Sequence, residues 1–254
     1  MEEKINENSD IILGLDISTT TIGCCVFLDD KSDYGKIIKL THIVPKISSK
    51  IKGIESLFLK KDIFENEFLS QWKDTGIKRV IIEEPLLRSN NVNTVGTLLR
   101  FNGMISDSVY RVLGIVPEYI SSYDARKYAF PELISVRKFN KKGKVYPIPK
   151  LCTSINKHQL VLFGEMPWDI DKKQCIWNKV SEIYPDINWV YDRNGDLKKE
   201  NFDATDALIT CLAILNKNKY GELEPKSKVV ETTDTNIIYD IEYWNTKHSK
   251  KIGL

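Results

Sequence analysis

The sequence predicts an α/β domain built on a mixed sheet flanked by helices, and three features predict it. Three apolar, β-branched runs follow one another at the start of the chain, joined by short polar turns. Strand-like and helix-like patterns then alternate, and a late apolar segment repeats at helical spacing. Hairpin-length turns make the first three strands antiparallel, whereas strands separated by helices pair in parallel, so one sheet must carry both kinds of pairing.

Ile11 to Ile17 and Ile22 to Leu28 read as the first two strands, separated by Ser18-Thr19-Thr20-Thr21. The polar turn Asp29-Asp30-Lys31-Ser32-Asp33 leads to a third strand from Lys36 to Val44. From Gly53 to Gly76, Ile54, Leu57, Phe58, Phe64, Phe68, Leu69 and Trp72 recur at the intervals of an amphipathic helix. Arg79 to Glu84 is a short β-branched strand stopped by Pro85, and Asn93 to Leu113 carries helical spacing up to Gly114. Val116 to Ser121 supplies a further strand, and Ser122-Tyr123-Asp124 caps a helix through Phe130.

Between Pro131 and Leu160, Pro147 and Pro149 break the pattern and seven Lys or Arg face one acid, Glu132, which reads as an inserted basic loop. Lys172 to Tyr184 is helical in pattern, and Pro185 to Glu200 is a turn-rich connection containing Asn194-Gly195. A helix from Asp203 to Leu215 buries Ala204, Leu208, Cys211, Leu212 and Leu215. The rest is polar, with one strand-like piece from Asn236 to Trp244 and a basic end at Lys247 to Lys251. The expected organisation is a flexible 1–10, one domain over 11–216 with an insertion at 131–170, and a C-terminal extension at 217–254.

Bulk charge identifies no partner, because 37 Lys and Arg nearly cancel 35 Asp and Glu. Five cysteines without a CxxC pair point to a reducing compartment. The three histidines, at 42, 158 and 248, form no zinc spacing with one another or with cysteine, so a catalytic metal falls to carboxylates. The polar, acidic start has no apolar leader core, and no stretch approaches the roughly 20 apolar residues that span a bilayer. The expectation is a cytoplasmic protein without a membrane segment.

Four acids stand where acids are awkward. Asp16 interrupts an apolar strand, Glu83 ends another, and Asp203 and Asp206 lie three residues apart at the head of an otherwise apolar helix, on one helical face. Clustered carboxylates repel unless cations lie between them, and all-oxygen sites suit Mg2+ or Mn2+. Two such ions about 3.5 to 4 Å apart stabilise the attacking and leaving oxygens of phosphodiester hydrolysis. Each acid also has a plain explanation: Asp203 complements the helix dipole, Asp206 is a solvated neighbour, Glu83 and Glu84 are strand-end charges, and Asp16 belongs to the following turn. The ordered set is what carries weight. Strand geometry allows either Glu83 or Glu84, but not both, on one face.

Leu13-Gly14-Leu15-Asp16-Ile17-Ser18 resembles the first-strand GxD motif of RuvC-type Holliday junction resolvases. Ile81-Ile82-Glu83-Glu84 resembles their fourth-strand IE motif, and Asp203-Ala204-Thr205-Asp206-Ala207-Leu208 their C-terminal DxxDA motif. The resemblance spans most of Ile11 to Asn216, including the loop from Arg88 to Asn93, the helix that follows and the segment Tyr123 to Tyr128. It implies an RNase H-like fold of the retroviral integrase superfamily and a Mg2+-dependent endonuclease. Asp16 would bridge two Mg2+ ions, Glu83 and Asp203 would complete the sites, and Asp206 would support the second; Mn2+ is a possible substitute. The family pattern selects Glu83 over Glu84. The insertion at 131–170 and the C-terminal tail depart from the compact bacterial enzymes and are more like phage or viral relatives.

A resolvase holds a branched, charged substrate through phosphate contacts. The candidates are Arg88, close to Glu83 in sequence, and the run Arg137, Lys138, Lys141, Lys142, Lys144 and Lys150, interleaved with Phe139 and Tyr146; Lys172 and Lys173 are further candidates. Leu86 and Leu87, after Pro85, offer an apolar wedge for the junction centre. Solvated basic loops and ordinary packing explain the same residues without DNA. The resemblance implies a homodimer, since two nicks of like polarity need two active sites related by a two-fold axis. The helix from Asn93 to Leu113, with Gly96 and Gly103, is the candidate interface, against core packing for its apolar side.

Two other functions compete. Gly14-Leu15-Asp16-Ile17-Ser18-Thr19-Thr20-Thr21 also resembles the phosphate loop of actin-like ATPases and sugar kinases, although no adenosine-type GG motif follows. A catalytically silent scaffold that binds branched DNA or a protein is the other.

Overall fold

In the computed structural model of the chain, residues 10–85, 91–131, 135–139, 145–152, 159–161, 164–165, 172–232, 237–245 and 250–252 are described, with backbone alone for those from 132 to 172 and beyond 222. They pack as two units, Met1–Ser122 with Tyr184–Cys211, and Tyr123–Ile183 with Leu212–Leu254.

The first unit holds a five-stranded sheet of β1 (Asp10–Ile17), β2 (Ile22–Asp29), β3 (Lys36–Ile43), β4 (Ile77–Glu83) and β5 (Glu118–Ile120), in the order β3-β2-β1-β4-β5. β1 pairs antiparallel with β2, and β2 with β3, while β1–β4 and β4–β5 are parallel. The expected mixed sheet is therefore present. The turn between β1 and β2 closes on one side chain: the Ser18 hydroxyl accepts the N–H groups of Thr20 and Thr21 at 3.2 and 2.9 Å and donates to the Thr21 carbonyl at 2.9 Å. A short hydroxyl side chain competing for local backbone groups is what makes a tight turn at this position.

Side chains alternate across a strand, so each strand feeds two layers. Leu13, Leu15 and Ile17 of β1, Ile22, Cys24 and Val26 of β2, and Val80 and Ile82 of β4 enter one core. There they meet Leu57 and Phe64 of α1 (Gly53–Glu67), Phe68 and Leu69 beyond it, and Phe101, Ile105 and Val109 of α2 (Val92–Leu113). The Asn91 side chain caps α2 by accepting from the N–H groups of Asn93 and Thr94, and Gly114, at φ 72°, ends it. The amphipathic stretch after Gly53 is not one helix: it stops at Glu67 and passes into a 3-10 turn, Leu69–Trp72.

The opposite face of β1 and β2 lies under α5 (Glu200–Tyr220), the 172–183 segment being α4 (Lys172–Ile183). Two glycines make that contact possible. A Cβ on Gly14 would fall 2.2 Å from the Ala207 carbonyl oxygen, and one on Gly23 would fall 2.0 Å from that of Asp203, so the helix rests on the sheet backbone to backbone.

In the second unit, α3 (Ser122–Ala129) is tied to the end of α5. Asn216 donates to the Tyr128 carbonyl at 2.7 Å, the Tyr128 hydroxyl donates to Glu222 at 2.7 Å, and Lys217 pairs with Glu222 at 2.7 Å. Two further sheets correct the sequence reading. The segment read as a basic loop contains β6 (Ser135–Phe139), β7 (Val145–Cys152), β8 (Gln159–Val161) and β9 (Gly164–Glu165), ordered β7-β6-β8-β9. Pro147 and Pro149 fall on β7, an edge strand, the place in a sheet where proline is tolerated. The tail, read as one strand-like piece, is an antiparallel meander of β10 (Leu223–Thr232), β11 (Ile237–Asn245) and β12 (Lys250–Ile252).

Candidate active site

The site is built first from strand register. Leu15 of β1 stands opposite Ile82 of β4 in a parallel pair, so Asp16 and Glu83, each one residue further, end neighbouring strands side by side. Gly14 and Ile81 are partners two residues earlier, and Gly14 lies beneath α5. With a side-chain period of two, Asp16 and Glu83 emerge on that same α5 face. Glu84 falls on the other face; its N–H donates to the Ile120 carbonyl at 2.8 Å and its side chain is exposed. The pleat thus separates the two glutamates that sequence reasoning left side by side.

Helix docking brings the third acid. Gly23 is the antiparallel partner of Asp16, and directly paired residues share a face with Cα atoms about 4.5 to 5.5 Å apart. The Asp203 backbone sits on Gly23, so the first turn of α5 is placed beside Asp16. Asp206 is three residues along the same helical face and is buried, whereas Asp16, Glu83 and Asp203 keep partial exposure. Asp203 shares the first turn with Glu200, and dipole compensation accounts for both. It does not account for Asp16 and Glu83, which are on strands.

Three residues that sequence reasoning did not single out hold this end of the sheet. Lys60 of α1 donates to the Thr19 carbonyl at 2.6 Å and grips the turn that follows Asp16. Asn201, buried at the head of α5, takes both backbone groups of Val190: its amide donates to the carbonyl at 2.6 Å and its oxygen accepts the N–H at 3.1 Å. The same amide donates to the Lys198 carbonyl at 3.0 Å, and the Thr205 hydroxyl donates to the Asn201 carbonyl at 2.8 Å. Gly23 is the third. Its signal was legible, because an isolated glycine within an apolar strand marks a close backbone approach; Lys60 and Asn201 have no comparable signal.

The electrostatics agree with an acidic strand end. Burial pushes the Cys24 thiol well above its ordinary range, and the charge of Asp16 pushes it further. Burial and the neighbouring Cys211 do the same to Cys25. Among the described residues, no three His, Cys, Asp or Glu side chains stand together in an arrangement that would hold one metal ion. The donor chemistry of the α5 face nevertheless fits a hard divalent cation, since its candidate ligands are carboxylate oxygens only.

Of the DNA-contact candidates, Leu86, Arg88, Lys141, Lys142 and Lys144 lie outside the described residues, as does Leu87. Arg137 and Lys138 fall on β6, and Lys150 on β7. Lys172 opens α4, with Lys173, exposed, next to it. On α2 both explanations of the apolar side find residues. Phe101, Ile105 and Val109 pack on the sheet, while Val92, Leu99 and Tyr110 are exposed and a Cβ on Gly96 or Gly103 would meet nothing within 4 Å. No helix among the described residues is long and apolar enough to cross a membrane.

No protein-family model and no curated protein sequence matches the chain. Solved structures do. Thermus thermophilus RuvC in complex with a Holliday junction substrate superposes with a TM-score of 0.52 at 11% identity, over 84% of this chain and 96% of that one. Thermus thermophilus RuvC in a second structure gives 0.46 at 13% identity, over 83% and 96%. The Aquifex aeolicus PPX-GPPA enzyme gives 0.32 at 13% identity, over 56% and 52%. At such identities the first likeness speaks for architecture: this chain has the RuvC fold, an RNase H-like mixed sheet with helices on both faces.

Proposed function

We propose that the chain is a structure-selective DNA endonuclease that resolves four-way junctions, with Asp16, Glu83, Asp203 and Asp206 as its catalytic carboxylates. One observation carries the reading. Three elements far apart in sequence, β1, β4 and α5, deliver acids to the same end of the same sheet face. Carboxylates brought to one end of a sheet repel one another, and a divalent cation between them would offset that repulsion.

Asp16, Glu83 and Asp203 would hold the divalent ions, with Asp206 behind the second. Two bound Mg2+ ions supply charge stabilisation for the attacking and leaving oxygens of phosphodiester hydrolysis. The protein's own part is rigidity. The Ser18 turn and Lys60 fix the end of β1, and the glycine contacts fix α5 against it. Arg88, Arg137, Lys138, Lys141, Lys142, Lys144, Lys172 and Lys173 are proposed as phosphate contacts, and Leu86 as the wedge. The exposed side of α2 is proposed as the homodimer face, which gives two active sites of like polarity. An intracellular location goes with a DNA substrate. The RuvC complex with a Holliday junction lends the substrate assignment its support through shared architecture.

Cleavage of a labelled synthetic four-way junction in Mg2+, beside linear duplex and flap DNA, tests the proposal. Paired symmetric nicks confined to the junction are expected. Equal cutting of flaps would widen the substrate to branched DNA in general. Absence of any Mg2+-dependent cutting, with ATP turnover in its place, would overturn the nuclease reading.

A further inference from the structure

We propose that Gly23 and Asn201 are positioning residues for Asp203: together they set where the first turn of α5 lies relative to Asp16. The inference rests on the nuclease reading and concerns how its site is held. On the sheet side, Gly23 is the cross-strand partner of Asp16, and a Cβ there would come 2.0 Å from the Asp203 carbonyl oxygen, 2.4 Å from its carbonyl carbon and 2.9 Å from the Ala204 nitrogen. All three atoms are helix backbone, so no side-chain rotation relieves the clash. The turn itself must move by about 1 Å or more to restore an ordinary contact distance, and packed elements do not deform continuously.

On the far side, Asn201 forms the equivalent of a strand pairing with Val190 and a third bond to Lys198. Its side chain therefore welds the 185–199 connection to the helix two residues before Asp203. Gly14 anchors the same helix further along, beneath Ala207, Thr210 and Cys211. With Gly14 as the pivot, a fault at Gly23 or Asn201 tilts or loosens the acid-bearing end while the rest of the helix stays packed. Displacement of about 1 Å at a reacting centre can cost about a hundredfold in rate.

The test uses the full chain carrying Gly23→Ala or Asn201→Ala, with Ile105→Ala as the control. Ile105 lies in the core on the other sheet face, so its truncation lowers stability without touching α5. Three quantities are read: the thermal midpoint, Mn2+ affinity by electron paramagnetic resonance without DNA, and junction cleavage at saturating Mg2+. All three variants should lose thermal stability. Gly23→Ala should also weaken Mn2+ binding and slow cleavage by about a hundredfold, and Asn201→Ala by about tenfold, while Ile105→Ala keeps both per folded molecule. Should Gly23→Ala fail to fold, Asn201→Ala decides. Wild-type Mn2+ affinity and cleavage in the Gly23 and Asn201 variants, or equal losses in Ile105→Ala, would overturn the positioning role and leave the nuclease reading standing. A wild-type protein that neither binds Mn2+ nor cuts junctions would overturn both.

Discussion

The two faces of the five-stranded sheet bury different things. Against α1 and α2 the sheet offers Leu13, Leu15, Ile17, Ile22, Val26, Val80 and Ile82, a continuous apolar layer closed by Phe64, Phe101 and Ile105. Against α5 it offers Gly14, Gly23 and Cys25, then Asp16 and Glu83 where those strands end. The first face is filled by side chains throughout; the second also buries Ile12, Phe27 and Ile81, but at Gly14 and Gly23 it meets α5 with backbone close enough to place charges. Both faces therefore contribute apolar burial, and the second gives up side chains locally, at Gly14 and Gly23, for geometry. Substitutions should separate along that line.

The largest contrast is between adjacent glutamates. Glu83→Gln should lower junction cleavage by at least about a hundredfold, because it removes a ligand charge where transition-state charge develops. Glu84→Gln, on the other face, should leave the rate unchanged; equal losses would mean that the strand register does not select the ligand. On the apolar face, Phe64→Ala should cost about 3 to 5 kcal/mol in urea unfolding, with normal cleavage per folded molecule. Gly14→Ala should cost about 1 to 3 kcal/mol through overpacking against Ala207, and a neutral result would show that α5 rides less closely on β1.

The smallest effect is at alkaline pH. The buried Cys24 and Cys25 thiols have raised values, so the folded chain keeps protons that the unfolded chain releases. Stability should then fall as pH rises past the ordinary thiol value of 9.0, and the slope should flatten in Cys24→Ala and Cys25→Ala. Denaturant midpoints measured at two alkaline pH values would check it.

The same contrast explains how much could be read in advance. The strands of the first unit were legible because their burial is written in apolar runs, and Asp16 stood out by interrupting one. Asp203 and Asp206 stood out by sharing a helical face. The choice between Glu83 and Glu84 rested on family pattern, since it depends on the pairing of Leu15 with Ile82, residues far apart in the chain. Lys60 and Asn201 were invisible for a similar reason: each acts on a carbonyl whose position only the fold decides. β6 and β7 were missed because basic residues and prolines interrupt their apolar positions, β8 and β9 because they are only three and two residues long, and β10 because it is polar and gains its ladder from β11.

Asp16 lies where every element of the account meets, beside Glu83, opposite Gly23 and next to the turn held by Lys60. The measurement that tests it most directly is four-way junction cleavage in Mg2+ by Asp16→Asn, with thermal midpoint and junction binding in Ca2+ recorded on the same sample. The account predicts an intact fold, retained junction binding and no cleavage. Undiminished cleavage would contradict it, and so would a chain that loses its fold or its grip on DNA along with its activity.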